Sequence, residues 1–202
     1  MTSSRSDPSF DALALLAEAG AAAGAAPDPE AALNAIVLRY VAVLGDRSAH
    51  LRPGALLGDE RQFFVAGAFL VTPDETWHML VGNSGFPPEQ RRLMVPIDAG
   101  HPGRVRDGRA ALLLENTDEH GGFRQYLKTA RMGSSIYAPM LWEGRFLGQI
   151  VIAAQARWTF RPADLAVMSA LAPLAAAVWM AKGGPAWLDR SYPPPDGWRA
   201  SP

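Results

Sequence analysis

The chain has 202 residues, 49% of them hydrophobic and 19% charged, enough to bury one good core with extensions rather than two. A formal net charge of -1 gives no electrostatic reason to expect nucleic acid or an anionic membrane as a partner. The absence of cysteine excludes disulfides, thiolate metal sites, a cysteine nucleophile and thioether attachment of a chromophore. The apolar run near the N-terminus is broken by Asp11 and Glu18 and lacks the basic-then-apolar order of a signal peptide. No segment reads as long and apolar enough to span a bilayer, because the most apolar helix contains Pro173 and begins with charge. The expectation is a cytoplasmic protein.

Residues 1–28 are Ala-rich and Gly-interrupted. Ala supports helix while Gly20 and Gly24 oppose it, which predicts a frayed helix over about residues 8–19. Asp28-Pro29-Glu30 is a sharper start, with Asp28 as N-cap, Pro29 at the first helical position and Glu30 near the positive helix end. Leu33, Ile36, Val37, Tyr40, Val41 and Leu44 then recur at spacings of three and four, an amphipathic helix closed by Gly45-Asp46. Two strands follow at 62–72 and 75–81, joined by Pro73-Asp74 as a tight turn.

Residues 82–131 are irregular. Pro87-Pro88-Glu89-Gln90 opens a short helix, 94–97 is extended, and 100–106 reads as a short helix with Pro102 at its first position. A buried strand at 110–114, a polar loop at 116–122 and another short helix at 123–129 complete the stretch. Long loops on a rigid sheet are where binding sites tend to lie. A small-residue strand at 132–141, the turn Trp142-Glu143-Gly144-Arg145 and a second apolar strand at 146–154 come next.

The last helix is introduced by Phe160-Arg161-Pro162-Ala163-Asp164-Leu165. Pro162 fits its first position, Asp164 its third, and Leu165 can pack back on Phe160 as a hydrophobic staple, although Arg161 is a poor cap. Between Leu165 and Ala181 the only polar side chain is Ser169, so the helix is apolar around more of its circumference than one sheet face requires. Either the N-terminal helices cover its other side or a second copy does. The expectation taken is a homodimer through the N- and C-terminal helices. Beyond Lys182-Gly183-Gly184 a Pro-rich tail carries Trp187, Tyr192 and Trp198, and is either disordered or docked by these aromatics.

Over residues 30–181 this order resembles a GAF domain, a sensory fold related to PAS. The resemblance rests on the N-terminal helix, the first hairpin, the Gly100–Val105 turn of helix, the buried strand at 111–114, and the Ser134-Ser135 strand ending in Pro139. Gly148 in the next strand and the Phe160/Asp164 helix start complete it. It implies an α+β fold: a GAF/PAS-like antiparallel sheet with helices packed on one face and a ligand pocket on the other, and parallel helical dimers. The chain then divides into an extension at 1–28, the sensory domain at 29–182 and the tail at 183–202.

Members of that family bind cyclic nucleotides, bilins, haem, amino acids or small anions. Bilin photoreceptors attach their chromophore to cysteine, and the family's reductase of free methionine sulfoxide uses redox cysteines, so neither chemistry fits this cysteine-free chain. Asn116-Thr117-Asp118-Glu119 is similar to part of the cyclic-nucleotide motif, with compressed spacing.

Strand parity puts Ser135, Tyr137 and Pro139 on one face, and the need of a buried Tyr hydroxyl for a partner makes that the pocket face. Gln149 stands out in an apolar strand and either reaches the pocket or pairs with loop backbone. Trp77 alternates with His78, so one faces inward and the other faces solvent or the helical layer; Trp77 reads as a core residue first and a ligand wall second, and in so small a domain it can be both. The loop from Ile97 onward faces Tyr137. Its helix start offers free N–H groups, Gly103 allows close approach, and His101 and Arg104 add positive charge beside Pro102, which suits a small anion or carboxylate. Stand-alone nitrate receptors are the family precedent. The alternative is that Pro102-Gly103 only punctuates a loop.

The candidate ligand-binding residues are therefore Trp77, Ile97, His101, Pro102, Gly103, Arg104, Ser135, Tyr137 and Gln149. The four histidines lie in separate segments without metal spacing, so no metal, haem or other cofactor is expected; His101 would be the axial choice for haem. No catalytic constellation is found, and an enzyme is not expected. The reading is a cytoplasmic GAF-type sensor that binds a small molecule reversibly and signals to a separate output protein. The alternative is a degenerate GAF domain acting as an interaction or dimerisation module without ligand.

Overall fold

Two long helices begin the fold. The computed structural model describes residues 8–128 and 130–200; the first seven residues of the extension, Thr129 at the end of the expected 123–129 helix, and the last two of the tail lie outside the described residues. Helix α1 (Pro8–Ala25) runs on through Gly20 and Gly24 instead of ending near residue 19. Leu15, Ala19 and Ala23 recur every four residues and are buried, and a Cβ at Gly20 would lie 3.8 Å from Leu174, so packing overrides the weak propensity of glycine. Helix α2 (Pro29–Val43) starts as expected: Asp28 Oδ1 accepts from the Ala31 N–H at 2.8 Å.

The strands are β1 (Phe64–Val71), β2 (Trp77–Ser84), β3 (Arg92–Pro96), β4 (Leu112–Leu114), β5 (Ser134–Trp142), β6 (Arg145–Ala154) and β7 (Gly197–Arg199). They form one sheet in the order β4-β5-β6-β1-β2-β3-β7. The pairings from β4 to β3 are antiparallel, but β7 lies parallel to β3, so the sheet is mixed rather than purely antiparallel. The turn between β5 and β6 has positive φ at both Glu143 and Gly144, the twist a two-residue hairpin needs.

Between β3 and β4, helix α3 (Gly100–Gly108) begins two residues earlier than a first-position proline would set, so Pro102 is its third residue. That is tolerable because the first N–H groups of a helix have no intrahelical acceptor. The expected helix at 123–129 does not form. Its backbone is held by side-chain amides: Gln90 Nε2 donates to the Tyr126 carbonyl at 2.9 Å, and Gln90 Oε1 accepts from the Lys128 N–H at 2.8 Å.

The tail is docked. Helix α4 (Pro162–Ala181) is followed by α5 (Gly184–Ser191), and the chain then reaches the free edge of β3, where the Ala200 N–H donates to the Met94 carbonyl at 2.9 Å. Tyr192 donates to Asp74 at 2.6 Å and Arg91 pairs with Asp196 at 2.9 Å.

α2 and α4 cover one face of the sheet, meeting the small and aliphatic side chains of Ala66, Ala68, Ile136, Ala138, Ile150 and Ile152, and α1 and α5 pack on these two helices. By length and composition α4 does pass for a membrane span, with a window of mean hydropathy 1.6, which corrects the expectation that no segment would. In this fold its apolar character serves the core. Met168, Leu171, Ala175 and Trp179 are buried at spacings of three and four, and Leu171 is fully enclosed within the single chain.

The start of α4 also fixes the end of α2. Asp164 Oδ2 accepts from the Arg161 N–H at 2.9 Å, and its Oδ1 accepts from the Gly45 N–H at 3.0 Å, so one carboxylate caps one helix and ties down the exit of another. Asp164→Ala is expected to lower stability by about 1–2 kcal/mol, measured by urea unfolding, with a smaller loss for Asp164→Asn.

Candidate functional site

The face of the sheet away from the helices carries different chemistry. Phe69 of β1, His78 of β2, Val95 of β3, Tyr137 of β5, and Gln149 and Val151 of β6 stand on it. α3, through Pro102, and the irregular stretch from Phe123 to Leu127 form a roof, with Phe86 at one side. Between floor and roof is a narrow cavity of about 70 Å³.

The polar side chains of β2 and β6 on its floor are buried and largely unpaired. His78 and Gln149 are 0% and 1% exposed. His78 Nε2 lies 3.1 Å from the Ile97 carbonyl, an acceptor only, which places the proton on Nε2 and leaves Nδ1 as a lone pair. Neither that Nδ1, nor Oε1 or Nε2 of Gln149, nor the Tyr126 hydroxyl has a hydrogen-bond partner. Buried polar atoms are nearly always paired, so several orphans around one cavity mark a place made for water or a ligand. Burial pulls the His78 imidazole down to about 4, against the favourable bond to Ile97, and pushes the Tyr137 hydroxyl up to about 12. Both are neutral near pH 7.

Of the nine residues expected at the site, the structure brings Pro102, Tyr137 and Gln149 to the cavity lining. Ser135 shares the face of Tyr137, as parity requires, and its hydroxyl is also unpaired, but it lies outside the lining. His101 sits just behind the wall: its ring stacks on Tyr137 at 6.3 Å and meets His120 edge-on at 6.0 Å, with neither nitrogen paired. Burial first, then Arg104 and His120, pull its imidazole down to about 4. Ile97 contributes only its carbonyl.

Trp77, Gly103 and Arg104 are corrections. Trp77 has the parity of Met79 and Val81 and packs on the helix side, with the Arg199 guanidinium 5.8 Å from its ring centre. The inward residue of that pair is therefore His78, a choice the sequence leaves open because Met79 and Val81 follow Trp77 while Leu80 follows His78 at the same spacing. The Gly103 N–H is spent on the Ala99 carbonyl at 3.1 Å, and a Cβ there would come within 2.5 Å of the Asp98 carbonyl oxygen, so this glycine serves packing against its own turn rather than ligand approach. Arg104 is exposed beside Gly122. At this helix start Gly103 therefore offers an anion neither its N–H nor a close approach. Phe69, Phe86, Val95 and Tyr126 were not expected at the site, because aromatic and aliphatic residues carry no mark that separates a ligand wall from core.

Among known families, the GAF domain model matches residues 28–179. The chain belongs to the GAF family. Solved structures with the same fold include the GAF domain of a phosphoenolpyruvate-protein phosphotransferase from Coxiella burnetii, 22% identical, with a TM-score of 0.66 over 89% of this chain and 99% of that one. The corresponding Acinetobacter GAF domain is 14% identical, with a TM-score of 0.67 over 89% and 97%. Free methionine-R-sulfoxide reductase from Neisseria meningitidis, solved with its substrate, is 16% identical, with a TM-score of 0.67 over 92% and 98%. No curated protein matches the chain by sequence. These likenesses speak for the fold.

They also correct one expectation. The reading that this GAF chain is not an enzyme is overturned as an inference from fold, because reductases from Neisseria meningitidis and Staphylococcus aureus are enzymes built on the same architecture.

Both buried histidines depress folded-state proton binding. An imidazole with an ordinary value of 6.5 in the unfolded chain and about 4 in the GAF domain contributes stability that is complete above 6.5 and is lost as pH falls toward 4. Urea midpoints are expected to decline across that window, and His101→Phe to flatten the decline. Gly103→Ala is expected to destabilise the ligand-free domain by about 1–3 kcal/mol, read from the same unfolding curves, because the clash is with backbone.

Proposed function

We propose that this GAF domain binds a small polar molecule reversibly in the cavity between the Tyr137 face of the sheet and the roof formed by Pro102 and residues 123–127, and reports its occupancy to a separate partner. The observation that carries the reading is the set of unpaired, buried polar atoms on His78 and Gln149. A ligand that pairs them is held by bonds the empty cavity lacks, and the roof, being held by a few side-chain amides rather than by helical bonds, is the element free to adjust. The neutral lone pair of His78 favours a ligand that donates, which turns the proposal away from the small anion or carboxylate first expected.

The output surface in this proposal is the helical layer, used by a second copy of the chain. Leu13 of α1 is 67% exposed, and a groove of about 620 Å³ runs between α1, the end of α2 and α4, floored by Ala166, Val167 and Ala170. Leu171 is a poor probe of such a dimer because it is core within one chain; Ala170 is exposed and suitable.

Thermal shift against amino acids, carboxylates, nitrate, ureides, amides and cyclic nucleotides tests the binding. A true ligand at a hundred times its dissociation constant is expected to add about 2.7 kcal/mol to stability, and Gln149→Leu to cut the response to about half while leaving the far-UV spectrum unchanged. A panel that leaves the melting temperature flat would sink the sensor reading. Sedimentation of Ala170→Glu beside the unmodified chain checks the dimer: a shift of a wild-type dimer toward monomer is expected, and a wild-type monomer at micromolar concentration overturns it.

A further inference from the structure

The cavity's polar atoms form an unbalanced set, and the imbalance carries chemical information. His78 stands on β2 and Gln149 on β6, on either side of β1, where the register opposes them to Val71 and Phe69. Their strands are two spacings apart, about 10 Å, and both side chains line the same cavity. His78 offers an acceptor, because its Nε2 proton is committed to the Ile97 carbonyl. Gln149 offers one acceptor and one donor group, whichever way its amide is turned, since neither end has a partner. On these two side chains the set is two acceptors to one donor group; the Tyr126 hydroxyl, also unpaired, can donate or accept and so suits either kind of ligand. The cationic side chain at the cavity, Arg124, is exposed. An anion placed here would set its lone pairs against that of His78 Nδ1, and burial opposes protonating the ring to relieve the clash.

On the reading that this cavity binds a ligand, we infer that it takes a small uncharged ureide: a flat molecule with N–H, C=O and N–H along one edge. One N–H and the carbonyl pair with the Gln149 carboxamide in two parallel bonds, and the second N–H donates to His78 Nδ1. This leaves no orphan on His78 or Gln149 unpaired and demands no charge in the interior. The remaining surroundings suit a flat ring. Phe69 and Phe86 pack edge to face with centroids 6.1 Å apart, and Val95 and Val151 complete apolar walls. A volume of about 70 Å³ accommodates a ring of a few atoms and excludes a nucleotide without opening of the roof.

The probes are 2-imidazolidinone and hydantoin, with 1,3-dimethyl-2-imidazolidinone and cyclopentanone as shape controls lacking the N–H groups, and nitrate, acetate and free amino acids as the competing classes. The full chain is titrated by thermal shift and by ¹⁵N NMR of histidine side chains. The two ureides are expected to raise the melting temperature with concentration while the controls do not, and to move the His78 Nδ1 resonance. Gln149→Leu and His78→Phe are each expected to weaken the apparent affinity about tenfold, and the NMR shift on the unmodified chain decides the matter should His78→Phe fail to fold. Equal stabilisation by the dimethylated control, or stabilisation only by nitrate, acetate or amino acids, overturns the ureide assignment while leaving a ligand-binding cavity in place. Stabilisation by none of these, nor by the wider panel above, overturns both.

Discussion

A sheet with two-residue periodicity must put alternate side chains on opposite faces, and in this protein only one face receives the long helices. Ala66, Ala68, Ile136, Ala138, Ile150 and Ile152 are small or β-branched, and α2 and α4 settle on them closely enough to exclude water. The opposite face has one short helix and a loop to cover it. A loop cannot satisfy its own backbone as a helix does, so side chains must do so, and the buried Gln90 amide bonds to the backbone of both Tyr126 and Lys128. The cavity is what remains between a regular floor and an irregular roof.

That asymmetry is also energetic. On the helix side, polar groups that enter the core are paired: the Tyr40 hydroxyl lies 3.1 Å from the Gly67 carbonyl and 3.0 Å from that of Val151. On the cavity side, His78 and Gln149 are just as deeply buried and keep atoms without partners. A buried polar atom left without a partner costs about 1–3 kcal/mol, so the cavity face, unlike the helix face, depends on water or a ligand to complete its hydrogen bonds. Sites that keep such a cost in a folded chain are those where a second molecule can relieve it.

The C-terminal segment links the two sides. α5 packs behind α4, and β7 then closes the open edge of β3, a position that would otherwise present unpaired backbone to other chains. From β7, Ala200 enters the apolar cluster with Phe69, Leu80 and Val95 on the cavity face, and Trp198 lies 5.2 Å from the Lys128 ammonium at the end of the roof. The C-terminal segment thus touches the end of the roof and is continuous with the helical layer.

Local chemistry by itself determined a good part of this protein. Asp28-Pro29 fixed a helix start, Glu143-Gly144 a hairpin, and Pro162 with Asp164 the start of α4, because caps and turns depend on a few neighbouring residues. Period two placed Ser135 and Tyr137 on one face without any knowledge of the fold, and the order of elements was enough to place the chain in its family. Only the tertiary structure decided what lay against those faces. Whether Trp77 or His78 turned inward depended on which side the helices chose, and whether Gly103 faced a ligand or the Asp98 carbonyl depended on the path of its own turn. The 123–127 stretch became a roof because Gln90, more than thirty residues earlier, took the bonds a helix would have made. Such competition between local and distant partners is resolved only when the chain has folded.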